Sequence, residues 1–225
     1  VAKKASGRAT RRTTEQLTAL RIYAATHGRT WKRKLIDAWF DGRDADEPNG
    51  YLLYVSRLEP ENQADLLIRA YRDVAGDVPL LIVGDAPYAT EYKAKLVELA
   101  AGDPRVRLTG GIYGQGYRDL QRGALAYIQA TSVGGTHPAL IEAMGAGNLV
   151  LAYSTPENDE VLAGSGLLFS DEDELAALLN QIVANPSSPD LKALRERAGD
   201  RIRLNYSWDR VTDQYEQLFE RMISG

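Results

Sequence analysis

No cysteine occurs in these 225 residues, which excludes disulfides and thiolate metal sites and leaves thiol usage silent on redox compartment. No apolar run approaches the ~20 residues that a membrane span requires. No secretory leader is legible either. The chain opens Val1-Ala2-Lys3-Lys4, positive charge with no apolar stretch behind it, so a cytoplasmic protein is expected. It begins on Val rather than Met, as a processed or trimmed start would. Histidine is scarce, with His27 and His137 alone. Neither has a second ligand at useful spacing, so neither a metal nor another cofactor is expected. What is present is ordinary for a globular chain, 44% hydrophobic residues over a length that suits one large domain or a smaller one with an appendage.

Charge is not ordinary in its distribution. Residues 1–34 hold ten Lys or Arg against one acid, Glu15, a balance of +9 that leaves −13 for the rest of a chain whose total is −4. Such segregation suggests two modules. The boundary falls in the charged, turn-rich stretch 42–50, giving a basic segment over 1–48 and a larger domain over 49–225.

The basic segment reads as a helical hairpin. Thr13 and Gln16 suit a capping box, Leu17, Leu20 and Ala24 recur at helical spacing, and His27-Gly28 supplies a stop. A second helix is expected over about 30–40, with Trp31, Leu35, Ala38 and Trp39 on one face. Two such helices bury too little to stand alone and must dock on the rest of the chain or on another copy. Three uses stay open: docking or homo-oligomerisation, nucleic-acid binding through Arg29, Lys32, Arg33 and Lys34, and attraction to anionic lipid headgroups, which would make the protein membrane-peripheral. A fusion would also account for the mismatch between the modules.

From Tyr51 onward, short apolar stretches alternate with amphipathic ones. Strands are expected at 51–55, 79–83, 105–108, 124–129, 148–152 and 166–169, with helices over 61–74, 89–101 and 171–184 and a further helix around Glu142. Strands without polar alternation, separated by helices, make an α/β domain with a doubly wound parallel sheet covered on both faces. Its ligand would lie at the carboxyl ends of the strands. The loops richest in turn and polar residues, 56–62, 84–88, 109–116 and 131–138, all fall at that edge.

The stretch V-G-G-T-H-P-A-L-I-E-A-M-G-A-G-N-L-V-L-A over 133–152 is the most informative. Gly134, Gly135 and Thr136 precede a proline-opened helix whose exposed amides suit an anion, and Glu142 sits about two turns in. Together with Y-V-S-R-L-E-P-E-N, L-L-I-V-G-D-A-P and R-V-R-L-T-G-G-I-Y, it resembles the carboxyl-terminal half of retaining glycosyltransferases of GT-B architecture, the family-4 type, near its rhamnosyltransferase-like branch. The likeness covers about 50–222, including a closing helix over 206–222 that in the family crosses back to an amino-terminal domain. That acceptor-binding domain is missing from this sequence.

The resemblance implies a site for a nucleotide-diphosphate sugar. Arg57 would contact the diphosphate, helped in the family by a lysine five residues on, where this chain has Asn62. Gly134, Gly135 and Thr136 would cradle phosphate, Glu142 would hold ribose hydroxyls, and Tyr113 with Ile112 would wrap the base. Gly134 also stands where the family often has a first glutamate. Plainer roles remain open: an ion pair to Glu59 or Glu61 for Arg57, a solvated helix position for Glu142, a capped loop with Thr136 as N-cap, and a core or edge place for Tyr113. Asp85 and Tyr88 are further candidates for the cleft. No catalytic residue is legible. A donor-binding domain inactive by itself is expected, with a non-catalytic assembly module as the alternative.

Overall fold

A computed structural model describes residues 50–224. The hairpin expected over 1–48, and the three uses considered for it, lie outside the described residues.

The strands alternate with helices in chain order: β1 (Leu52–Val55), α1 (Ala64–Tyr71), β2 (Leu80–Val83), α2 (Thr90–Ala100), β3 (Val106–Gly110), α3 (Gln115–Gly123), β4 (Ala126–Gln129), α4 (Pro138–Gly145), β5 (Leu149–Tyr153), α5 (Pro156–Leu162) and β6 (Leu167–Phe169). Three helices close the chain: α6 (Glu172–Ala184), α7 (Pro189–Asn205) and α8 (Trp208–Ser224). Every strand pairing is parallel, in the order β3-β2-β1-β4-β5-β6. This is the doubly wound α/β sheet expected from the apolar runs.

The period of two along each strand sends side chains to two separate cores. Leu52, Tyr54, Leu80 and Ile82 pack beneath α1, α2 and α6. Leu53, Leu81, Tyr127 and Val150 pack against α3, α4 and α5. Helix α7 serves both, with Leu191 and Leu194 in the first core and Ala198, Ile202 and Tyr206 in the second. Burial on both faces is why the strands show no polar alternation.

Several elements depart from expectation, each for a local reason. The helix expected over 61–74 is a 3-10 turn at Pro60–Asn62, then α1; Gln63 between them takes a left-handed φ of 53°. Helices α3, α5 and α7 were not anticipated. Two of these carry a serine or threonine followed by proline, a start signal in its own right. Thr155 Oγ1 accepts from the Asn158 N–H at 3.2 Å, and Ser188 Oγ accepts from the Leu191 N–H at 3.3 Å. Helix α3 follows Gly114 at φ 65° with no side-chain cap, so no such signal precedes it.

One glycine is obligatory. A Cβ on Gly84, at φ 152°, would lie 1.8 Å from the Ser56 carbonyl oxygen. Only glycine lets the chain leaving β2 pass this close to the chain leaving β1.

Asp65 at the start of α1 joins α1 to α2. It accepts from Arg69 Nη1 at 2.9 Å, Tyr92 Oη at 2.7 Å and Lys95 Nζ at 2.6 Å. Burial opposes its ionisation, but the hydrogen bonds from Lys95, Tyr92 and Arg69 outweigh it and hold the carboxyl well below the usual carboxylate range. A depressed folded-state pKa contributes stability above the ordinary carboxylate value and loses it as pH falls toward the folded value. Asp65→Asn is therefore expected to be less stable than the parent in urea at pH 7, and the gap should narrow steadily below about pH 4. A gap that stays constant from neutral to acid pH would contradict this account.

Candidate functional site

The strand order reverses between β1 and β4: the chain winds outward from β1 to β2 and β3, then returns to place β4 on β1's other side. At such a point the two following loops diverge and leave a crevice. Here a ladder of buried polar groups floors it. Tyr127 Oη donates to Gln129 Oε1 at 3.0 Å, and Gln129 Nε2 donates to Thr131 Oγ1 at 2.8 Å. The Thr131 hydroxyl donates to Asn62 Oδ1 at 3.0 Å, and Asn62 Nδ2 donates to the Arg57 carbonyl at 2.8 Å. The Ser132 N–H donates to the Glu61 carbonyl at 3.1 Å beside it. The loops after β1 and β4 are thereby latched together, and Asn158 Nδ2 extends the latch to β5 through the carbonyls of Tyr153 at 2.9 Å and Thr131 at 3.3 Å.

Asn62 is thus not open to a ligand. Its side chain is buried and both ends of its amide are taken. Asn62 brings no charge to the crevice, and its amide bridges the two loops instead. Ile112 is likewise buried, packed in the core beneath α3 and α4.

Arg57 projects from the β1 loop with its side chain 69% exposed. Its Nη1 donates to Glu59 Oε1 at 3.2 Å and to Tyr88 Oη at 3.3 Å, and Tyr88 Oη also donates to Glu59 Oε1. The Tyr88 hydrogen bond and then the Glu59 charge raise the guanidinium pKa, which stays positive at any working pH. The ion pair anticipated for Arg57 is present, but Glu59 is only 7% exposed and its Oε2 is buried with no partner among the described residues. Apolar spacing carries no signal for such a carboxylate, and sequence reasoning treated it as a surface charge. Tyr88 comes from the loop after β2, as anticipated. Asp85 in the same loop is engaged elsewhere, accepting from Lys93 Nζ at 2.7 Å and the Ala86 N–H at 2.8 Å.

Across the crevice, Gly134, Gly135 and Thr136 are exposed and lead into α4. Gly134 sits at φ 102°, and a Cβ there would meet His137 Cε1 at 3.4 Å. The residue at the cap is His137, not Thr136, and no side chain caps this helix. Pro138 has no N–H to satisfy, and the Leu140 and Ile141 N–H groups donate to the His137 carbonyl at 3.1 and 3.2 Å. Burial lowers the His137 pKa, against the charge of Glu157, which raises it.

Glu142 is exposed on α4, and its Oε2 accepts from Tyr117 Oη on α3. Burial, and then the hydrogen bond to Glu142, raise the Tyr117 pKa. Gln121 Nε2 donates to Tyr117 Oη at 2.9 Å, and Asn148 Nδ2 donates to Gln121 Oε1 at 3.2 Å. The carboxylate is therefore aimed by a chain of groups, of which the sequence singled out only Glu142. Tyr113 is 84% exposed at the start of the same connection. Its ring lies over Gly111, where a Cβ would come within 2.8 Å of the Tyr113 hydroxyl.

The arrangement is a guanidinium and an exposed Gly134–Thr136 loop on either side of a latched crevice, with one carboxylate and one exposed aromatic ring beyond. That combination can hold an anion next to a diol-bearing, planar group. Among the described residues no group of three or more His, Asp or Glu could hold a metal ion, and no helix is long and apolar enough to cross a membrane. An open depression of about 490 Å³ lined by Gly145, Gly147, Arg195, Gly199 and Arg203 lies elsewhere, where the chain enters β5.

The family described as Glycosyl transferases group 1 matches residues 49–185. An uncharacterized glycosyltransferase of Methanocaldococcus jannaschii is 26% identical over 189 residues, 77% of this chain and 45% of the relative. The lipopolysaccharide 1,2-N-acetylglucosaminetransferase of Salmonella typhimurium is 25% identical over 219 residues, 90% of this chain and 57% of the relative. Among solved structures, Anabaena HepE in complex with UDP superposes with a TM-score of 0.72 at 18% identity, over 86% of this chain and 53% of that one. The chain spans about half the length of the curated relatives it matches.

Removing the central hydroxyl of the latch tests its weight. Thr131→Val keeps the shape but leaves Asn62 Oδ1 and Gln129 Nε2 unpaired in a buried place. The variant is expected to lose about 1–3 kcal/mol of unfolding free energy in urea. No measurable loss would contradict the latch.

Proposed function

Because this chain belongs to the group 1 glycosyl transferases, we propose that its described domain binds the nucleoside-diphosphate part of an activated sugar in the crevice between β1 and β4. The observation that carries this reading is the latch, which keeps Arg57 and the start of α4 on facing sides of one crevice. Solved relatives of this fold hold UDP, which supports a nucleoside diphosphate over other anions.

Each group has a chemical task. The Arg57 fork pairs with diphosphate oxygens, and the backbone amides after Gly134 donate to the same group. Gly134 and Gly135 let the backbone approach closely, and exposed Thr136 offers a hydroxyl. Glu142, held by Tyr117, accepts from the two vicinal ribose hydroxyls, and Tyr113 supplies a face for the base. Asn62 and Ile112 contribute by position rather than contact.

In the whole enzyme, sugar would pass from the nucleotide to a saccharide or lipid-linked acceptor. Negative charge grows on the departing diphosphate as the glycosidic bond breaks, and preorganised donors lower that barrier. A buried amide at position 62 leaves Arg57 as the cation of its loop for this purpose. The acceptor and part of the sugar would be held by a partner half of the enzyme, so the chain by itself is expected to bind donor and transfer little.

Calorimetry of the full chain with UDP, GDP and their sugars tests the reading. Arg57→Ala is expected to weaken binding of the preferred diphosphate roughly tenfold or more, as loss of a charged hydrogen bond of about 1.5–3 kcal/mol implies. Glu142→Gln should weaken the nucleoside diphosphate while leaving inorganic pyrophosphate unchanged. If every nucleotide fails at millimolar concentration, or Arg57→Ala binds like the parent, the assignment is wrong.

A further inference from the structure

An exposed glutamate on a helix turns freely about several bonds, and fixing it costs conformational entropy. Glu142 is such a residue on α4, yet its Oε2 accepts from Tyr117 Oη on α3. The phenol is itself anchored, since Tyr117 packs against the core beneath α3 and α4. What lies behind it decides where its hydrogen points.

Asn148, in the turn that enters β5, and Gln121, one helical turn beyond Tyr117, are both 3% exposed. Asn148 Nδ2 donates to the carbonyls of Gln121 at 2.6 Å and Ala143 at 3.2 Å. Backbone carbonyls only accept, so this amide cannot turn round. It donates also to Gln121 Oε1 at 3.2 Å, which leaves Gln121 Nε2 as the end that meets Tyr117 Oη, at 2.9 Å. A phenol carries one hydrogen. With Gln121 donating to its oxygen, that hydrogen goes to Glu142. The chain of donors therefore runs one way, from two backbone carbonyls to an exposed carboxylate.

We propose that Tyr117 is a positioning residue that makes the crevice selective for ribonucleoside over 2′-deoxyribonucleoside diphosphates, with Gln121 and Asn148 fixing the direction of its hydrogen bond. The inference rests on the crevice being the nucleoside-diphosphate site and adds what decides between the two sugars. An ionised carboxylate offers about four lone-pair sites. Tyr117 takes one on Oε2, which leaves room for two vicinal hydroxyls. Accepting from both at once demands a set orientation, and a carboxylate held in advance meets that demand without a further ordering cost. A single hydroxyl makes no such demand, because a swinging carboxylate can follow it. Aiming Glu142 thus favours the diol over the deoxy sugar, and selectivity is that difference.

Titration calorimetry of the full chain with UDP against 2′-deoxy-UDP, and with GDP against 2′-deoxy-GDP, decides the matter. The parent should prefer the ribonucleotide about tenfold or more, the worth of one hydrogen bond to a charged group. Tyr117→Phe should cut that preference by about threefold or more, as the ordering of one long side chain implies. Gln121→Met, which keeps the phenol but lets it turn, should fall between the two, and it carries the test if Tyr117→Phe does not fold. A merely structural role would weaken both sugars alike and leave their ratio unchanged. A ratio that stays at the parent value or rises in Tyr117→Phe would overturn the proposal, as would a parent that binds both sugars equally, and either result leaves the crevice assignment standing. A parent that binds none of the four at millimolar concentration would overturn the assignment and this inference with it.

Discussion

The hydrogen bond from Thr131 to Asn62 is the constraint on which the candidate site depends. It joins the two loops that diverge where the sheet reverses its winding, and each partner is committed at its other end. Asn62 holds the Arg57 carbonyl and thereby sets where that guanidinium leaves the backbone. Thr131 is fed by Gln129 and Tyr127 from within β4. Strand ends are otherwise free to splay, because parallel strands fix direction more firmly than they fix the loops that follow. A fully paired buried polar network is costly to break and so specifies one arrangement.

The latch also explains an apparent weakness of the site. A lysine at position 62 would add charge for a phosphate, and this chain gives that charge up for a buried amide. Positive charge at the β1 loop rests with Arg57, which donates to Glu59 and Tyr88. Under the proposed reading, a diphosphate would have to compete with Glu59 for the guanidinium. Glu59 Oε2 is buried with no hydrogen-bond partner among the described residues. Affinity would therefore be a difference between two ion pairs, not the strength of one.

The sheet was legible because two-sided burial writes itself into sequence as short apolar runs, and six of them give six strands in the expected places. The loops at the carboxyl edge were legible because glycine and proline mark where the chain turns: Gly84 must be glycine for a backbone to pass, and Pro138 opens α4. Buried polar partners were not. Gln129, Thr131 and Glu59 have no periodic signature, and their roles come from contacts between residues up to 69 positions apart. Ile112 illustrates the reverse case, an apolar residue beside a candidate loop that packs in the core. Helix α3, which delivers Tyr117 to Glu142, begins after a glycine without a capping side chain, so its position emerges only once α4 lies beside it.

The central claim is that the crevice between β1 and β4, rather than any other surface, receives a nucleoside diphosphate. Amide chemical shifts of the isotopically labelled full chain, followed through a titration with UDP, test it most directly. The account predicts that the largest changes fall in residues 56–63 and 132–139, with a second group at 113–118, and little change at 145–147 or 195–203. Shifts concentrated around the depression between α4 and α7, or no shifts at millimolar UDP, GDP or ADP, would contradict it.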